Sequence, residues 1–384
     1  MSNILVVYET EMPSVTGFIN DTIASKPDDL EYRFKQVLAL NNDDIDWCDT
    51  LLFIRPQSVV TDIIAKKAKK TGAFVITFCD DDLLNLPKGI PSIPWRTRGL
   101  VRTLESSDIL QSTSPYICEK YKHYTIGKRG VCTHTTVMPD SLNEMEYVSK
   151  EVIPIKIVYA AGRDHSALFN ELVLPVLPKL KERYKDKITF TFVGVRPDVS
   201  ECEKFFETKV VAGMPLMEYR KFMKESKFDI GLAPLHDTEF NRCKYFNKYI
   251  EYTLVGVPGI YSKIEPYTYV IKDKKNGILV SNTPDEWYEG LCSLIDDFKL
   301  RKDIFDNSKE HLLENFSPDI LQSKFREDVP EYFKKKNSIG KCASLKSVKL
   351  KYNFYRIFDV IYLFFYYWKY EGIKSTINKV KARL

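Results

Sequence analysis

The sequence predicts an α/β protein built from two doubly wound domains, and two observations lead to this fold class. Short apolar segments of strand length alternate along the chain with segments of helical periodicity, which is typical of parallel sheets covered by helices. The alternation starts again near residues 143–154, and 384 residues are enough for two domains with separate cores. A hydrophobic content of 44% and a charged content of 28% also indicate a globular protein.

The elements of the first half are five short apolar strands with helices between them, notably a helix at 59–70. The strands are predicted at 4–8, 50–54, 73–78, 109–112 and 136–138. The second half repeats the pattern, with strands at 156–161, 188–193, 209–211, 229–233 and 259–262 and helices at 167–184 and 217–226. Three more helices follow at 285–298, 300–315 and 318–335. We therefore expect domains at 1–145 and 156–336, a linker at 146–155 and a separate tail at 337–384.

The most informative segment is 228–280, where a buried strand ends at Pro234 and a helical pattern follows at 241–254. In that helix Lys244, Lys248 and Glu251 are four and three residues apart, so they share one face. Two lysines near a helix start suit a diphosphate, because the helix N-terminus already favours anions. A glutamate one turn later suits a ribose diol. The alternative is an ordinary amphipathic helix with solvated lysines.

The phrase FNRCKYFNKYIEY in this segment resembles the donor site of the group 1 glycosyltransferases, retaining enzymes of the GT-B fold. The resemblance implies two Rossmann-like domains with a cleft between them, the first on the acceptor side and the second binding the nucleotide sugar. It also implies that Lys244 and Lys248 hold the donor diphosphate and Glu251 the ribose. Many members carry a glutamate where this chain has Cys243, and the phrase is similar to a lysine-rich subgroup that lacks it. No cofactor is implied, and the lysines take the place of a metal ion.

Loops at the carboxyl ends of the strands of the second domain should face the ligand. In AAGRDHSALFN, Gly162 allows close backbone approach, Arg163 can pair with phosphate, and His165 begins a helix. The subgroup resemblance implies that Gly162 and His165 face the donor, although His165 as an exposed helix-start residue remains open. Equivalent loops give four further nucleotide-binding candidates, Gly194, Arg196, Gly213 and Met214.

On the acceptor side, Asp80, Asp81 and Asp82 follow the strand at 73–78 and begin a DDDL run that is similar to one in the subgroup. Three adjacent acids repel one another, which suggests a role in binding acceptor hydroxyls or in holding the loop at 86–99. The alternative is a capping cluster in which Asp82 caps a short turn. The loop contributes Trp95, Arg96 and Arg98, which suit a sugar-stacking and phosphate-holding surface. Adjacent acids do not make a convincing metal site.

The tail differs from the rest of the chain in charge. Residues 334–384 contain thirteen Lys or Arg against Asp359 and Glu371, a balance of +11 in a chain whose total is +5. Residues 352–370 are nearly all aromatic or aliphatic, but their apolar core is shorter than the ~20 residues of a spanning helix. Aromatic residues flanked by lysines match a helix in the headgroup region of an anionic membrane, so we expect 352–383 to bind one. The alternative is docking on the protein or on a partner. Nucleic acid is not expected, since the basic excess is confined to the tail.

The eight cysteines show no paired spacing of a zinc site or a disulfide framework, and the first residues enter a strand without a signal-peptide pattern. We therefore expect a cytoplasmic protein, peripheral on the inner face of the plasma membrane. The expected function is transfer of a sugar, with retention, from a nucleotide diphosphate to a glycan or polyprenyl-linked acceptor. Lys244, Lys248, His165 and Arg163 are its candidate catalytic residues. The family implication is that the leaving phosphate takes the acceptor proton. Two alternatives are a non-catalytic partner or anchoring subunit of the same fold and a nucleotide-sugar epimerase.

Overall fold

A computed structural model describes residues 1–11, 15, 29–87, 89–135, 147, 153–162, 166–373 and 376. The chain divides into two compact units, one formed by Met1–Thr136 with Leu321–Leu384 and the other by Val137–Ile320. Each unit contains a six-stranded sheet in which all paired strands are parallel. The predicted α/β class with two doubly wound domains is confirmed.

The first sheet has the strand order β2-β1-β3-β4-β5-β6. Its strands are β1 (Ser2–Tyr8), β2 (Leu30–Gln36), β3 (Thr50–Ile54), β4 (Phe74–Phe78), β5 (Ile109–Ser112) and β6 (Gly130–Cys132). Four helices belong to the described part of this region: α1 (Asn42–Trp47), α2 (Thr61–Lys70), α3 (Pro94–Glu105) and α4 (Pro115–Tyr121). The continuous burial of β3 explains why its apolar run was readable from the sequence.

Three features of the first half differ from the expectation. Strand β2 was not predicted. It lies at the sheet edge and alternates charged with apolar residues, so it lacks the apolar run that marks the other strands. Strand β6 was not predicted either, while the strand predicted at 136–138 lies outside the described residues and stays a prediction. The predicted loop at 86–99 is wrong in its last part, because Pro94 begins helix α3 in the first turn, where its missing N–H is not needed.

The second sheet has the order β12-β11-β10-β7-β8-β9. Its strands are β7 (Ile155–Ala160), β8 (Ile188–Val193), β9 (Glu207–Val211), β10 (Ile230–Ala233), β11 (Gly259–Ser262) and β12 (Ile278–Val280). The helices after β7 are α5 (Ser166–Leu172), α6 (Leu177–Tyr184), α7 (Val199–Glu203), α8 (Leu216–Ser226), α9 (Glu239–Arg242) and α10 (Asn247–Thr253). Edge strand β12 was not predicted, because three residues carry too little periodicity.

Two predicted helices are divided in the structure. The segment 167–184 forms α5 and α6 with a 3-10 turn at Leu174–Val176, since Pro175 and Pro178 lack the N–H that a continuous helix requires. The segment 241–254 forms α9 and α10, and residues 243–246 between them are not helical. The second division changes the geometry expected of the lysines.

The last helices are α11 (Pro284–Asp296), α12 (Phe298–Phe316), α13 (Pro318–Asp328) and α14 (Lys346–Glu371). Residues from Leu321 onward belong to the first unit, where Arg326 forms a two-bond ion pair with Asp29 at 2.7 and 2.9 Å. Leu345, Val348 and Tyr352 are buried with the core on one side of the first sheet. The tail helix therefore docks on the protein. None of the described helices is both long enough and apolar enough to cross a membrane.

Candidate functional site

A cavity of about 350 Å³ lies at the carboxyl edge of the second sheet, within the second unit. Loops after β7, β8, β9 and β10 line it together with α8 and the start of α10. Six predicted residues are among its lining: Gly162, Gly194, Gly213, Met214, Lys244 and Lys248. This position and size are typical of small-molecule sites in parallel α/β sheets.

Gly194 and Gly162 differ in how strictly the backbone requires a glycine at their positions. Gly194 has a φ of +73°, and a Cβ placed there would lie 2.8 Å from the carbonyl oxygen of Ala161. Only glycine allows the loops after β7 and β8 to approach so closely. Gly162 has no such constraint, since its Cβ would meet no atom of the described residues within 4 Å. Gly162 therefore leaves open space beside the backbone at the cavity wall.

Lys244 lies between α9 and α10 rather than on a helix. Thr238 caps α9, and the chain turns at Cys243 before α10 begins at Asn247. The prediction that Lys244 and Lys248 share one helical face is therefore wrong in its geometry. The two lysines nevertheless line the same cavity. The Lys244 ammonium lies 5.6 Å from the Phe240 ring centroid, within the range of a cation–π contact.

Lys248, Glu251 and Tyr219 form a closed triangle of hydrogen bonds. The Lys248 Nζ donates to Glu251 Oε2 at 2.6 Å and to the Tyr219 hydroxyl at 3.2 Å. The Tyr219 hydroxyl donates to the same Glu251 Oε2 at 3.1 Å. An ammonium has three N–H donors, so one donor of Lys248 is not used by these two partners. Glu251 Oε1 forms no hydrogen bond to the described residues.

Burial and charge act in opposite directions on this triangle. Burial alone would lower the pKa of Lys248, but the adjacent Glu251 carboxylate raises it above its ordinary value. The pKa of Tyr219 is raised by burial and by the same carboxylate. Lys248 is therefore an ammonium and Tyr219 a neutral donor at neutral pH.

Sequence reasoning missed the aromatic lining of the cavity, formed by Tyr159, Tyr219, Tyr245 and Tyr267. Tyr219 lies in the predicted helix 217–226, directly after the Gly213 loop. This position could have indicated from the sequence that Tyr219 lines the cavity. Tyr267 lies in a 3-10 turn after β11 and gave no such signal.

Two of the remaining predicted donor residues, Glu251 and Arg196, are described and do not line this cavity. Glu251 is hydrogen-bonded to two residues that do line it, Lys248 and Tyr219. Arg196 is exposed, and its backbone N–H donates to Ser166 Oγ at 3.3 Å. Arg163 and His165 lie outside the described residues.

In the first unit, the acidic run follows β4 and meets cations from two other elements. Arg55, directly after β3, places Nη1 3.0 Å from Asp80 Oδ1 and 2.9 Å from Asp81 Oδ2. Arg55 itself has a φ of +49°, which is uncommon for a residue with a side chain. The mutual repulsion inferred from the sequence is therefore offset by an arginine that sequence reasoning did not connect with the run.

Asp82 is fully buried, whereas Asp80 and Asp81 are partly exposed. It accepts hydrogen bonds from Lys120 Nζ at 2.7 Å, from the Tyr121 hydroxyl, and from the Asn85 backbone N–H at 3.0 Å. Although burial raises its pKa, the bonds from Lys120 and Tyr121 lower it below the ordinary aspartate value. Asp82 thus caps the turn at Asn85 and joins it to α4. This agrees with the alternative interpretation of the acidic run as a capping cluster.

Trp95 and Arg96, in the first turn of α3, bind the tail helix. Trp95 Nε1 donates to Asp359 Oδ1 at 2.7 Å, and Arg96 donates to Asp359 Oδ2 through Nε at 3.0 Å and Nη2 at 2.6 Å. Arg98 is exposed on the same helix. A small cavity of about 10 Å³ beside these groups is also lined by Glu9 and Tyr352.

No family model matches the sequence, and no curated protein matches it at a significant level. Solved structures do match. HepE from Anabaena, in complex with UDP-glucose, has a TM-score of 0.62 and 10% identity and covers 86% of this chain and 100% of its own. Trehalose-6-phosphate synthase, from a study of glycosyltransfer with retention, has a TM-score of 0.57 and 12% identity over 86% of this chain and 99% of its own.

TarM from S. aureus has a TM-score of 0.53 and 12% identity and covers 74% of this chain, which spans only 55% of TarM. At identities this low the likeness concerns the fold and not the site. Two parallel six-stranded sheets with their helices are consistent with two Rossmann-like domains, the architecture of the GT-B fold. The chain therefore adopts the GT-B fold.

Proposed function

We propose that the protein is a retaining glycosyltransferase that moves a sugar from a nucleotide diphosphate to a glycan or lipid-linked acceptor at the cytoplasmic membrane face. One observation carries this proposal: Lys244, Lys248 and the Gly162, Gly194 and Gly213 loops converge on one cavity at the carboxyl edge of the second sheet. Ligands of open α/β sheets bind at that edge.

The lysines are suited to the diphosphate because each brings a fixed positive charge to the cavity wall. Lys248 keeps one donor beyond those used by Glu251 and Tyr219, and its ammonium state is favoured by Glu251. Charge-assisted contacts to phosphate oxygens are about twice as strong as neutral hydrogen bonds. The same charges would stabilise the diphosphate as it leaves, and removing one such donor typically costs about 10²–10³ in rate.

Glu251 is suited to the ribose. Its Oε2 is occupied by Lys248 and Tyr219, whereas its Oε1 makes no hydrogen bond to the part of the chain that the structure describes. A carboxylate oxygen held in one orientation can accept from a ribose hydroxyl. The tyrosines of the cavity would supply flat apolar surface for the base and sugar.

The reaction type is supported by the fold. HepE was solved in complex with UDP-glucose, and trehalose-6-phosphate synthase was solved in a study of transfer with retention. The match to this chain covers 100% of the first structure and 99% of the second. Arg163 and His165 would assist the lysines at the diphosphate, and Asp80, Asp81 and Arg98 would meet the acceptor. The +11 tail supports the membrane location, because an anionic surface attracts basic segments.

A panel of UDP, GDP and ADP sugars tests the proposal. We expect one nucleotide class to raise the melting temperature, and transfer to a glycan acceptor to give a product whose anomeric configuration, read by NMR, equals that of the donor. Binding without hydrolysis or transfer would instead favour the non-catalytic subunit. Conversion of the donor into its epimer without acceptor would favour the epimerase, and stabilisation by none of the panel would contradict the donor site.

A further inference from the structure

Helix α14 carries two apolar faces on opposite sides. Its inner face is formed by Val348, Tyr352, Leu363 and Tyr367, each at most 7% exposed. The first two pack with Leu345 in the core beside the first sheet, and the last two pack with Ile93. The Tyr362 hydroxyl adds a hydrogen bond of 3.0 Å to the carbonyl oxygen of Ser92. The whole length of the helix is therefore held on the first unit.

The opposite face is a continuous apolar stripe, which we call the outer stripe. It consists of Leu350, Phe354, Ile357, Ile361, Phe365 and Trp368, at helical spacings of four, three, four, four and three. Their exposure runs from 46% at Ile361 to 73% at Leu350. At about 100° per residue, the centre of the stripe lies roughly 180° from the inner face. A row of large apolar side chains of this kind marks an interaction surface.

The charges beside the outer stripe are positive. Lys346, Lys351 and Lys369 are exposed on α14. Asp359 is the only acid between 346 and 370, and it is 8% exposed and turned to Trp95 and Arg96. We call these contacts of Asp359 the latch. By holding its carboxylate inward, the latch leaves the outer surface apolar and basic from Lys346 to Lys369, and Glu371, the exposed last residue of α14, lies beyond the stripe.

This combination selects one kind of occupant. Apolar and aromatic side chains flanked by lysines match the interface of an anionic bilayer. There the acyl chains would contact the outer stripe, and the anionic headgroups would pair with the lysines. A second copy of the helix would meet the stripe with the same lysines, and like charges facing each other are unfavourable.

Building on the membrane location in the proposed function, we propose that the outer stripe inserts into an anionic lipid surface while the inner face stays docked on the first unit. The membrane is then met by a helix lying flat and fixed on the domain through the latch, and not by a free basic arm. Trp95 and Arg96, expected from the sequence to hold acceptor, act here as the groups that orient this membrane-binding face.

Co-sedimentation of the full chain with vesicles of phosphatidylglycerol and phosphatidylcholine tests the surface. The double variant Ile361→Glu/Phe365→Glu should weaken binding at least about tenfold. In this variant two apolar side chains that would move from water into the bilayer are replaced by charged ones. The matched control is Ile126→Glu, which places a charge on a 55% exposed isoleucine of the first unit away from α14 and should bind as wild type. Equal binding of the double variant and wild type would overturn the proposal.

Two further readouts separate the alternatives. Wild-type protein that forms a dimer broken by the double variant, without binding vesicles, would show that a second copy covers the stripe. Brominated lipid should quench Trp368 fluorescence, so that Trp368→Phe loses this quenching while Trp287→Phe, which changes a fully buried tryptophan, keeps it. Amide exchange in α2 and α3 should stay unchanged or slow down on vesicles. Faster exchange there would show that the helix leaves the domain and would overturn the docked geometry.

Discussion

Lys248 Nζ lies 2.6 Å from Glu251 Oε2, so the lysine expected to bind phosphate is ion-paired with the glutamate expected to bind ribose. Tyr219 touches both groups through its hydroxyl. The two halves of the proposed nucleotide site are therefore one electrostatic unit. Substitutions in this unit are expected to be non-additive, since each one changes the surroundings of the other two groups.

The first prediction concerns the two lysines. Lys244→Ala and Lys248→Ala should each lower turnover about tenfold or more, because a charge-assisted contact of about 1.5–3 kcal/mol is lost. Lys248→Ala should also lower the melting temperature, since it leaves Glu251 without its cation. Lys221→Ala is the control, as its side chain is 75% exposed. Steady-state rates and thermal unfolding provide the measurement, and a double variant with wild-type turnover would contradict the diphosphate assignment.

The second prediction concerns Tyr219. Tyr219→Phe keeps the ring near Lys248 but removes the donor to Glu251, so Glu251 is less firmly oriented toward the ribose. We expect the affinity for the preferred nucleoside diphosphate to fall about threefold to tenfold, for a neutral-donor contact of about 0.5–1.5 kcal/mol. The affinity for its 2′,3′-dideoxy analogue should change little. Calorimetry with both ligands checks this, and Glu251→Gln serves as the reference for a direct contact. An equal loss for both ligands would assign Tyr219 to the base or the fold.

The third prediction separates the two glycines of the cavity. Gly194→Ala should destabilise the second unit, because its φ of +73° and the carbonyl oxygen 2.8 Å away leave no room for a methyl group. Gly162→Ala should unfold like wild type, since its Cβ meets open space, yet weaken donor binding if the nucleotide fills that space. Thermal unfolding with and without nucleoside diphosphate distinguishes the two. A Gly162→Ala variant with unchanged affinity would remove Gly162 from the site.

The buried parts of the fold were predictable because their signal is local. Strands such as β3 and β10 are apolar along their length, and Pro234 marks the end of β10. Edge strand β2 was missed because it carries Glu31, Arg33 and Lys35, which half-exposed edges tolerate.

The site was predictable only in part. Lys244 and Lys248 could be placed in one cavity from a phrase of the sequence, but the turn between α9 and α10 and the contact with Tyr219 depend on tertiary packing. The same holds for Asp359, which lies 264 residues from Trp95 in the chain. An acid within an aromatic helix could be noticed in the sequence, yet nothing there pointed to its partner.

The fourth prediction divides the acidic run by function. Asp81→Asn, beside Arg55 and partly exposed, should impair transfer to acceptor more than slow donor hydrolysis and change stability little. Asp82→Asn should instead lower the free energy of unfolding by about 1.5–3 kcal/mol, because it removes a buried charged partner of Lys120 and Tyr121. Assays of transfer and hydrolysis, together with denaturant unfolding, compare the two variants. An equal loss of both activities in Asp81→Asn would make the run a structural support.

The pH dependence of Asp82 provides an independent measurement. Its pKa in the folded protein is depressed, so its contribution to stability is fully present above the ordinary aspartate pKa of about 3.9 and is lost as pH falls through the lower folded value. The wild-type protein should therefore lose stability on acidification faster than Asp82→Asn, which no longer carries this titrating group. The gap between their melting temperatures should be widest near neutral pH and should narrow below about pH 4. A gap that stays constant with pH would mean that Asp82 contributes through shape and hydrogen bonding and not through its charge.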